Sequence, residues 1–208
     1  MIEDDFIKIN YLEQKNIGRQ LKSLGDYLVF TSKHAVAALI SHLGSSGVSL
    51  SSKKIFCLSG ETRKAVDGLK KKEILGVAAN AADLAQLIIQ EKPGTSVDFI
   101  CGTQRRDELP KILNAAGIKV NELKLYETVL TGRLISTPYD GVLFFSPSGV
   151  ESYFQTNKLP KEAVCFCIGQ TTANSIKNHT KAAIIVAKEA SQKSMIDAVI
   201  DYYPLKGR

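Results

Sequence analysis

The chain has 208 residues, enough for one large domain or two small ones, and its content of 44% hydrophobic and 23% charged residues is ordinary for a globular protein. No apolar run reaches the ~18–20 residues that cross a bilayer, so we expect no membrane partner. The net charge of +6 favours acidic partners, but the basic clusters, such as residues 70–72, are short and have no interleaved aromatic residues, which argues against nucleic acid.

The first half of the chain alternates between short apolar strands and amphipathic helices. Such alternation is typical of parallel βαβ units. Gly117 follows the last of these helices, where a glycine commonly ends a helix. The predicted strands are 27–30, 54–58, 74–77, 97–101 and 119–123, and the predicted helices are 33–43, 62–69, 82–90 and 107–116.

Two extended segments flank this first unit. Residues 6–12 and 123–131 are rich in β-forming residues and show no helical period. We expect the two segments to pair as a two-stranded β ladder, which would join two lobes by two crossings of the chain.

The strand–helix pattern then restarts in a shorter form. Strands are predicted at 141–145, 164–168 and 183–186, and helices at 147–156, 171–177 and 192–202. We therefore predict an α/β protein with two doubly wound, flavodoxin-like parallel-sheet lobes joined by the ladder. The expected divisions are a larger lobe at 13–122, a connector at 1–12 and 123–137, and a smaller lobe at 138–208.

An internal repeat supports two related lobes. Residues 26–36 read DYLVFTSKHAV and residues 140–150 read DGVLFFSPSGV. Residues 56–62, FCLSGET, have a similar partner in residues 166–172, FCIGQTT. Because a cleft between lobes is a common place for a ligand, the repeat predicts an interlobe site.

The cysteine and histidine residues offer no metal or redox site. Neither type shows metal-ligand spacing, and no C-x-x-C pair is present. We expect buried, reduced thiols and a cytoplasmic location. The four cysteines lie in or beside apolar runs, at Cys57, Cys101, Cys165 and Cys167.

Small and hydroxylic residues follow most of the predicted strands. Ligands of open parallel sheets bind beyond the carboxyl ends of the strands, and helix N-termini suit carboxylates or phosphates. Simple N-capping would explain any single loop, but five similar loops favour an anion site. The loops are 31–33, 59–62, 102–104, 146–149 and 169–172. No phosphate-binding, dinucleotide-binding or metalloprotease motif is present, so neither covalent nor metal chemistry is indicated.

Several segments together carry a resemblance to a known family. VFTSKHAV, ICGTQRRDELPKIL, LYETV, FFSPSGVESYF and FCIGQTTANSI stand in this order, and the chain over about residues 6–203 resembles the uroporphyrinogen-III synthases. The resemblance implies two α/β lobes and an enzyme of tetrapyrrole and heme biosynthesis. Such enzymes close the linear tetrapyrrole hydroxymethylbilane into uroporphyrinogen III, with inversion of the last pyrrole ring, loss of water and no cofactor or metal.

The resemblance also implies roles for particular residues. Tyr126 is the best candidate for a proton donor, with packing of the ladder as the alternative role, and Thr172 is the second catalytic candidate. The substrate has eight carboxylates, which agrees with the basic charge. The residues expected to bind it are Ser32, Lys33, Gly60, Thr62, Arg63 and Gly102 in the larger lobe, and Ser146, Ser148, Gly149, Gln170 and Thr171 in the smaller lobe.

One departure from the family pattern concerns the start of the chain. Family members open with a strand, a turn and a helix before the segment that stands here at residues 6–12. We therefore expect the smaller lobe to lack one strand and one helix. A monomer is expected, with a dimer through the shortened lobe as the alternative. The alternative function is that of a non-catalytic two-lobed binder of a small polyanion.

Overall fold

A computed structural model describes residues 5–13, 17–46, 49–69 and 72–203 of the chain. The chain divides into two compact units, one formed by Ile9–Thr128 and the other by Met1–Lys8 together with Val129–Arg208. Within the described ranges, no helix is long and apolar enough to cross a membrane. Lys70 and Lys71 of the basic run lie outside the described residues.

The first unit is built on a six-stranded sheet. Its strands are β1 (Ile7–Tyr11), β2 (Tyr27–Phe30), β3 (Lys54–Leu58), β4 (Glu73–Ala78), β5 (Ser96–Gly102) and β6 (Lys119–Leu130). Its helices are α1 (Ile17–Lys22), α2 (Lys33–Ser46), α3 (Glu61–Asp67), α4 (Ala81–Glu91) and α5 (Glu108–Ala115).

The order of the strands indicates where this sheet is expected to bind a ligand. The order is β1-β6-β5-β2-β3-β4, and β2 to β6 are parallel to one another. The predicted doubly wound α/β architecture is confirmed. The parallel strands follow the order 3-2-1-4-5, whereas flavodoxin itself has 2-1-3-4-5. Because the order reverses between β2 and β5, the crevice beyond the carboxyl ends of these two strands is the expected ligand position.

Helices cover both faces of the sheet. Successive strand residues point to opposite faces, so Phe30 packs on one side and Val29 on the other. The core on Phe30's side includes Leu39 of α2 and Val66 of α3, and we call it the α2 face. The opposite core includes Leu84 of α4, with α5 beside it, and we call it the α4 face. Burial on both faces explains why the strands read as continuous apolar runs.

Strand β6 is longer than predicted and pairs with β1. The amide of Leu12 donates to the Leu125 carbonyl at 2.9 Å, and the amide of Thr131 donates to the Phe6 carbonyl at 3.1 Å. Rising numbers on one strand match falling numbers on the other, so the predicted ladder is confirmed and is antiparallel. The predicted end of the fifth strand at residue 123 is wrong, because no glycine or proline interrupts Lys119–Leu130 and the strand simply continues.

The second unit contains a three-stranded parallel sheet. Its strands are β7 (Gly141–Phe144), β8 (Val164–Cys167) and β9 (Ile184–Val186), in the order β7-β8-β9. Its helices are α6 (Pro147–Thr156), α7 (Gln170–Lys177) and α8 (Gln192–Tyr202). Val150 of α6 and Ile176 of α7 fill the core on one face, and Met195 of α8 fills the core on the other.

One helix was not predicted. Helix α1 has six residues and only one buried side chain, Leu21, so it shows no apolar period. Tertiary packing against the α2 face holds this helix, since Leu21 is part of that core.

Candidate functional site

The carboxyl edge of the first sheet brings two predicted site residues, Gly102 and Ser32, to the aromatic ring of a third, Tyr126. Tyr126 of β6 lies opposite Gly102 of β5, at the point where the parallel pairing of these strands ends. A Cβ atom built on Gly102 would lie 2.8 Å from both Cε2 and Cζ of Tyr126 and 3.2 Å from the phenol oxygen. The phenol therefore rests directly on the backbone of residue 102.

A bulge brings the Tyr126 ring to this place. Cys101 pairs with Lys124 and Gly102 pairs with Tyr126, so Leu125 is the extra residue on β6. As a result, the consecutive residues Leu125 and Tyr126 both pack against the α2 face, which a regular strand would not allow. The amide of Thr103 donates to the Tyr126 carbonyl at 2.9 Å and fixes the backbone at this position.

The first turn of α2 completes the surroundings of the phenol. The Ser32 hydroxyl accepts a hydrogen bond from the His34 amide at 3.2 Å, which is N-cap geometry. The same hydroxyl lies near the phenol of Tyr126 and lowers its pKa. The His34 and Tyr126 ring centroids are 6.0 Å apart with a 55° tilt, and Lys33 between Ser32 and His34 is exposed.

The protonation states of these groups follow from their burial. Burial raises the pKa of Tyr126 above its ordinary value, and the hydrogen bond from Ser32 offsets part of this rise. Burial and the neighbouring charge of Lys33 lower the pKa of His34. At neutral pH the phenol is therefore protonated and the imidazole neutral, so Tyr126 can donate a proton but is a poor base.

The loop after β3 holds three further predicted residues. Gly60 has a φ of +70°, a conformation that favours glycine, and it precedes the first residue of α3. Thr62 is buried in the first turn of that helix. Arg63 is bound along the helix, since its Nε lies 3.1 Å from both carboxylate oxygens of Asp67. It therefore pairs with this chain's own carboxylate in the structure.

The second unit presents a loop with hydroxyl groups after β7. The Ser146 hydroxyl accepts a hydrogen bond from the Gly149 amide at 3.1 Å and so caps α6. The hydroxyl of Ser148 lies 3.1 Å from that of Ser146. These three predicted residues are thus assembled at one helix N-terminus, in agreement with both capping and anion binding.

The loop after β8 lies at the same edge of this second sheet, because β7 and β8 are parallel neighbours. Gln170 and Thr171 are exposed in the first turn of α7, and the Gln170 side chain donates to Asn174 at 3.0 Å. Thr172 is only 3% exposed, and its amide bonds to the Gly169 carbonyl at 3.1 Å. Thr172 is therefore nearly inaccessible to solvent.

Sequence reasoning did not select His34 as a site residue. The available signal was its position two residues after Ser32, in the first turn of a helix that starts at the sheet's switch point. Among the residues that the structure describes, no group of three or more His, Cys, Asp or Glu side chains could hold a metal ion.

Comparison with known proteins agrees with the fold and the motifs. The uroporphyrinogen-III synthase HemD family model matches residues 2–197. The uroporphyrinogen-III synthase of Saccharomyces cerevisiae is 29% identical over 147 residues, and that match spans 59% of this chain but only 54% of the yeast protein.

Two solved structures share the fold. The uroporphyrinogen-III synthetase of Helicobacter pylori has a TM-score of 0.70 at 19% identity, covering 95% of this chain and 91% of its own. A mutant uroporphyrinogen III synthase of Thermus thermophilus has a TM-score of 0.69 at 16% identity, covering 95% and 87%. With the family model matching nearly its whole length, the chain belongs to the uroporphyrinogen-III synthase family.

Proposed function

We propose that this chain closes hydroxymethylbilane to uroporphyrinogen III, with inversion of the last ring and loss of water. The observation that carries the proposal is the protonated phenol of Tyr126 at the carboxyl edge of the first sheet, in a chain of this family. A neutral phenol can protonate the departing hydroxyl group, which is the one proton transfer that the first step needs.

In the proposed reaction the protein takes little part in covalent chemistry beyond proton transfer. Tyr126 donates its proton to the substrate's hydroxymethyl oxygen, the carbon–oxygen bond breaks, and water leaves behind a reactive protonated azafulvene and the Tyr126 phenolate. The terminal ring attacks this carbon through its own substituted carbon, the spiro intermediate fragments and recloses with the ring reversed, and the proton lost by the reclosed ring returns to the phenolate. Because the linear substrate closes without inversion when no enzyme is present, the protein must fix the fold of the substrate, which is catalysis by orientation.

Binding of the eight carboxylates is proposed to use amides and hydroxyls of both units. The loops before α2 and α3, and those before α6 and α7, lead into helix N-termini, whose amides and positive dipole ends attract anions. The net charge of +6 supports a polyanionic substrate. Lys33, Gly60 and Thr62 are proposed contacts in the first unit, and Ser146, Ser148, Gly149, Gln170 and Thr171 in the second. To bind a substrate carboxylate, Arg63 would have to break its ion pair with Asp67 or contact both carboxylates at once.

Thr172 has a narrower proposed role. It is nearly buried, so its hydroxyl can offer little contact area to a substrate. The variant Thr172→Val keeps the shape and removes the hydroxyl. A fall in kcat with unchanged stability would support its assignment as a catalytic group, and an unchanged kcat would remove it from the site.

The direct test is an isomer assay. Freshly prepared hydroxymethylbilane is incubated with the protein, the products are oxidised, and the type I and type III uroporphyrins are separated. The proposed function predicts isomer III in the presence of native protein and isomer I in controls with no protein or with heat-unfolded protein. Isomer I alone in every sample would refute it. Tight binding of uroporphyrinogen without ring inversion would instead support a non-catalytic binder.

We also propose a cytoplasmic location and a monomeric state. All four cysteines are free and buried, which suits a reducing compartment. Light scattering coupled to gel filtration measures the state directly. A mass of two chains would instead support the alternative of a dimer through the smaller unit.

A further inference from the structure

The Tyr126 ring leaves no room for a side chain at residue 102. Gly102 is buried, and its backbone is not in the left-handed region, so the requirement for glycine at this position is steric alone. A methyl group would stand 2.8 Å from two ring carbons, a distance that Cβ atoms essentially never show. Because the Thr103 amide holds the Tyr126 carbonyl at 2.9 Å, a methyl group at residue 102 would have to displace the ring itself from its position.

The Ser32 hydroxyl has little capacity left for a substrate carboxylate. A serine hydroxyl has one proton and two lone pairs. One lone pair accepts the His34 amide. The phenol of Tyr126 is its other polar neighbour, and Ser32 lowers the pKa of that phenol in opposition to the rise caused by burial. A carboxylate only accepts hydrogen bonds, so it would compete with the phenol oxygen for the one proton of Ser32.

The same arrangement directs the phenol's own proton. When the phenol oxygen accepts the proton of Ser32, the O–H of Tyr126 points away from Ser32, toward a third group. His34 lies beside the ring at a centroid distance of 6.0 Å. Its lowered pKa leaves the imidazole uncharged at neutral pH, so it confines the ring without adding a charge to the site.

We propose that Gly102 and Ser32 are positioning residues, which fix the Tyr126 phenol for proton donation instead of contacting the substrate. This inference rests on the proposed function, and it changes the predicted role of both residues. Positioning residues control kcat through Tyr126, whereas substrate-binding residues would control KM.

The first test is Gly102→Ala with Gly76→Ala as its control. Gly76 is a buried glycine of β4 that faces Phe56 of β3, and a Cβ there would lie 2.8 Å from the Phe56 ring. Both variants crowd an aromatic ring in the same sheet and are expected to lose similar stability. We expect Gly102→Ala alone to lower kcat per folded molecule about 10- to 100-fold with KM nearly unchanged. Equal kcat values for the two variants would refute the role of Gly102.

The second test uses Ser32→Ala, Ser32→Thr and their combination with Tyr126→Phe. Ser32→Ala should lower kcat about 10-fold, and Ser32→Thr, which keeps the hydroxyl, should restore most of it. In the Tyr126→Phe background, Ser32→Ala should cause no further loss, because the group on which it acts is gone. Additive losses, or a rise in KM with normal kcat, would show that Ser32 binds the substrate and would overturn the inference.

A readout without substrate separates this inference from the proposed function. In protein labelled with carbon-13 at the tyrosine Cζ, the Tyr126 signal is the one absent from Tyr126→Phe. Ser32→Ala should shift this signal and Ser32→Thr should return it toward the native position. An unmoved signal in Ser32→Ala would refute the contact whatever the activity. A moved signal in a protein that forms no isomer III would refute only the proposed function.

Discussion

The side-chain oxygen of Asn157 accepts a hydrogen bond from the Ile135 amide at 2.8 Å. The amide group of the same side chain donates to the Arg133 carbonyl at 2.6 Å and to the Tyr153 carbonyl at 3.1 Å. One buried side chain at the end of α6 thus satisfies three backbone groups, two of them in the segment between β6 and β7. This segment has no strand or helix of its own. Asn157 therefore supplies hydrogen bonds that a neighbouring strand supplies to backbone groups in a sheet.

Replacing Asn157 with alanine should therefore destabilise the protein by about 2–3 kcal/mol, since buried backbone groups would lose their partners. Urea unfolding measures this free energy. Asn178→Ala is the control, because Asn178 is exposed at the end of α7 and its substitution should change stability by less than about 0.5 kcal/mol. Equal effects of the two substitutions would contradict the structural role of Asn157.

Two substitutions of Ser146 separate capping from substrate binding. Ser146→Ala should cost about 1 kcal/mol of stability by removing the cap of α6. Ser146→Asp keeps a good cap and hence the stability, but it places a negative charge in a loop that is proposed to bind carboxylates. Repulsion on the order of 1–4 kcal/mol should then raise KM at least about 5-fold. An unchanged KM in Ser146→Asp would show that this loop only caps the helix.

Tyr126→Phe should lower turnover more than stability. Loss of the proton donor predicts a fall in kcat of about 10- to 100-fold, and loss of the Ser32 hydrogen bond predicts at most about 1 kcal/mol of destabilisation. Tyr139→Phe is the matched control, because the Tyr139 hydroxyl bonds to Tyr153 within the core of the second unit. It should alter stability and leave kcat per folded molecule unchanged. The reverse pattern would make Tyr126 a structural residue of the ladder.

The cysteine thiols should be unreactive in the native protein. Burial raises the pKa of Cys101 to about 12 and that of Cys165 to about 11, and it also raises the pKa of Cys57 and Cys167. Because the thiolate is the nucleophile, Ellman's reagent at pH 8 should label none of them quickly, and all four after unfolding. Rapid labelling of a native thiol would contradict the structure.

The raised pKa of Cys101 predicts a loss of stability at alkaline pH. The unfolded Cys101 ionises near its ordinary pKa of 9.0 while the folded thiol stays protonated to about 12, so its contribution is complete below pH 9 and lost between 9 and 12. At pH 10 this loss is about 1 kcal/mol. The fall in unfolding free energy from pH 8 to pH 10 should accordingly be smaller by that amount in Cys101→Ala. An identical fall in both proteins would contradict the shift.

Local sequence signals determined much of the fold, and long-range register determined the site. Helices α6 and α8 lie where they were predicted, since Pro147 and Ser191 mark their starts. The length of β6 was missed because its continuation depends on a partner strand more than a hundred residues away. The bulge at Gly102 was missed for a related reason. Register between β5 and β6 follows from packing, so the sequence could mark Gly102 and Tyr126 as candidates but could not show that one lies on the other.

The sheet also keeps a soft nucleophile away from the proposed chemistry. Cys101 directly precedes Gly102, yet it is buried on the α4 face, whereas the Tyr126 ring packs on the α2 face. An azafulvene is an electrophile. It would alkylate a thiolate within reach and so inactivate the enzyme after few turnovers. Pleating by one residue places the sulfur and the phenol on opposite faces of the sheet. Under the proposed mechanism, the intermediate would meet the phenol on one face, while the thiol that could trap it is buried on the other.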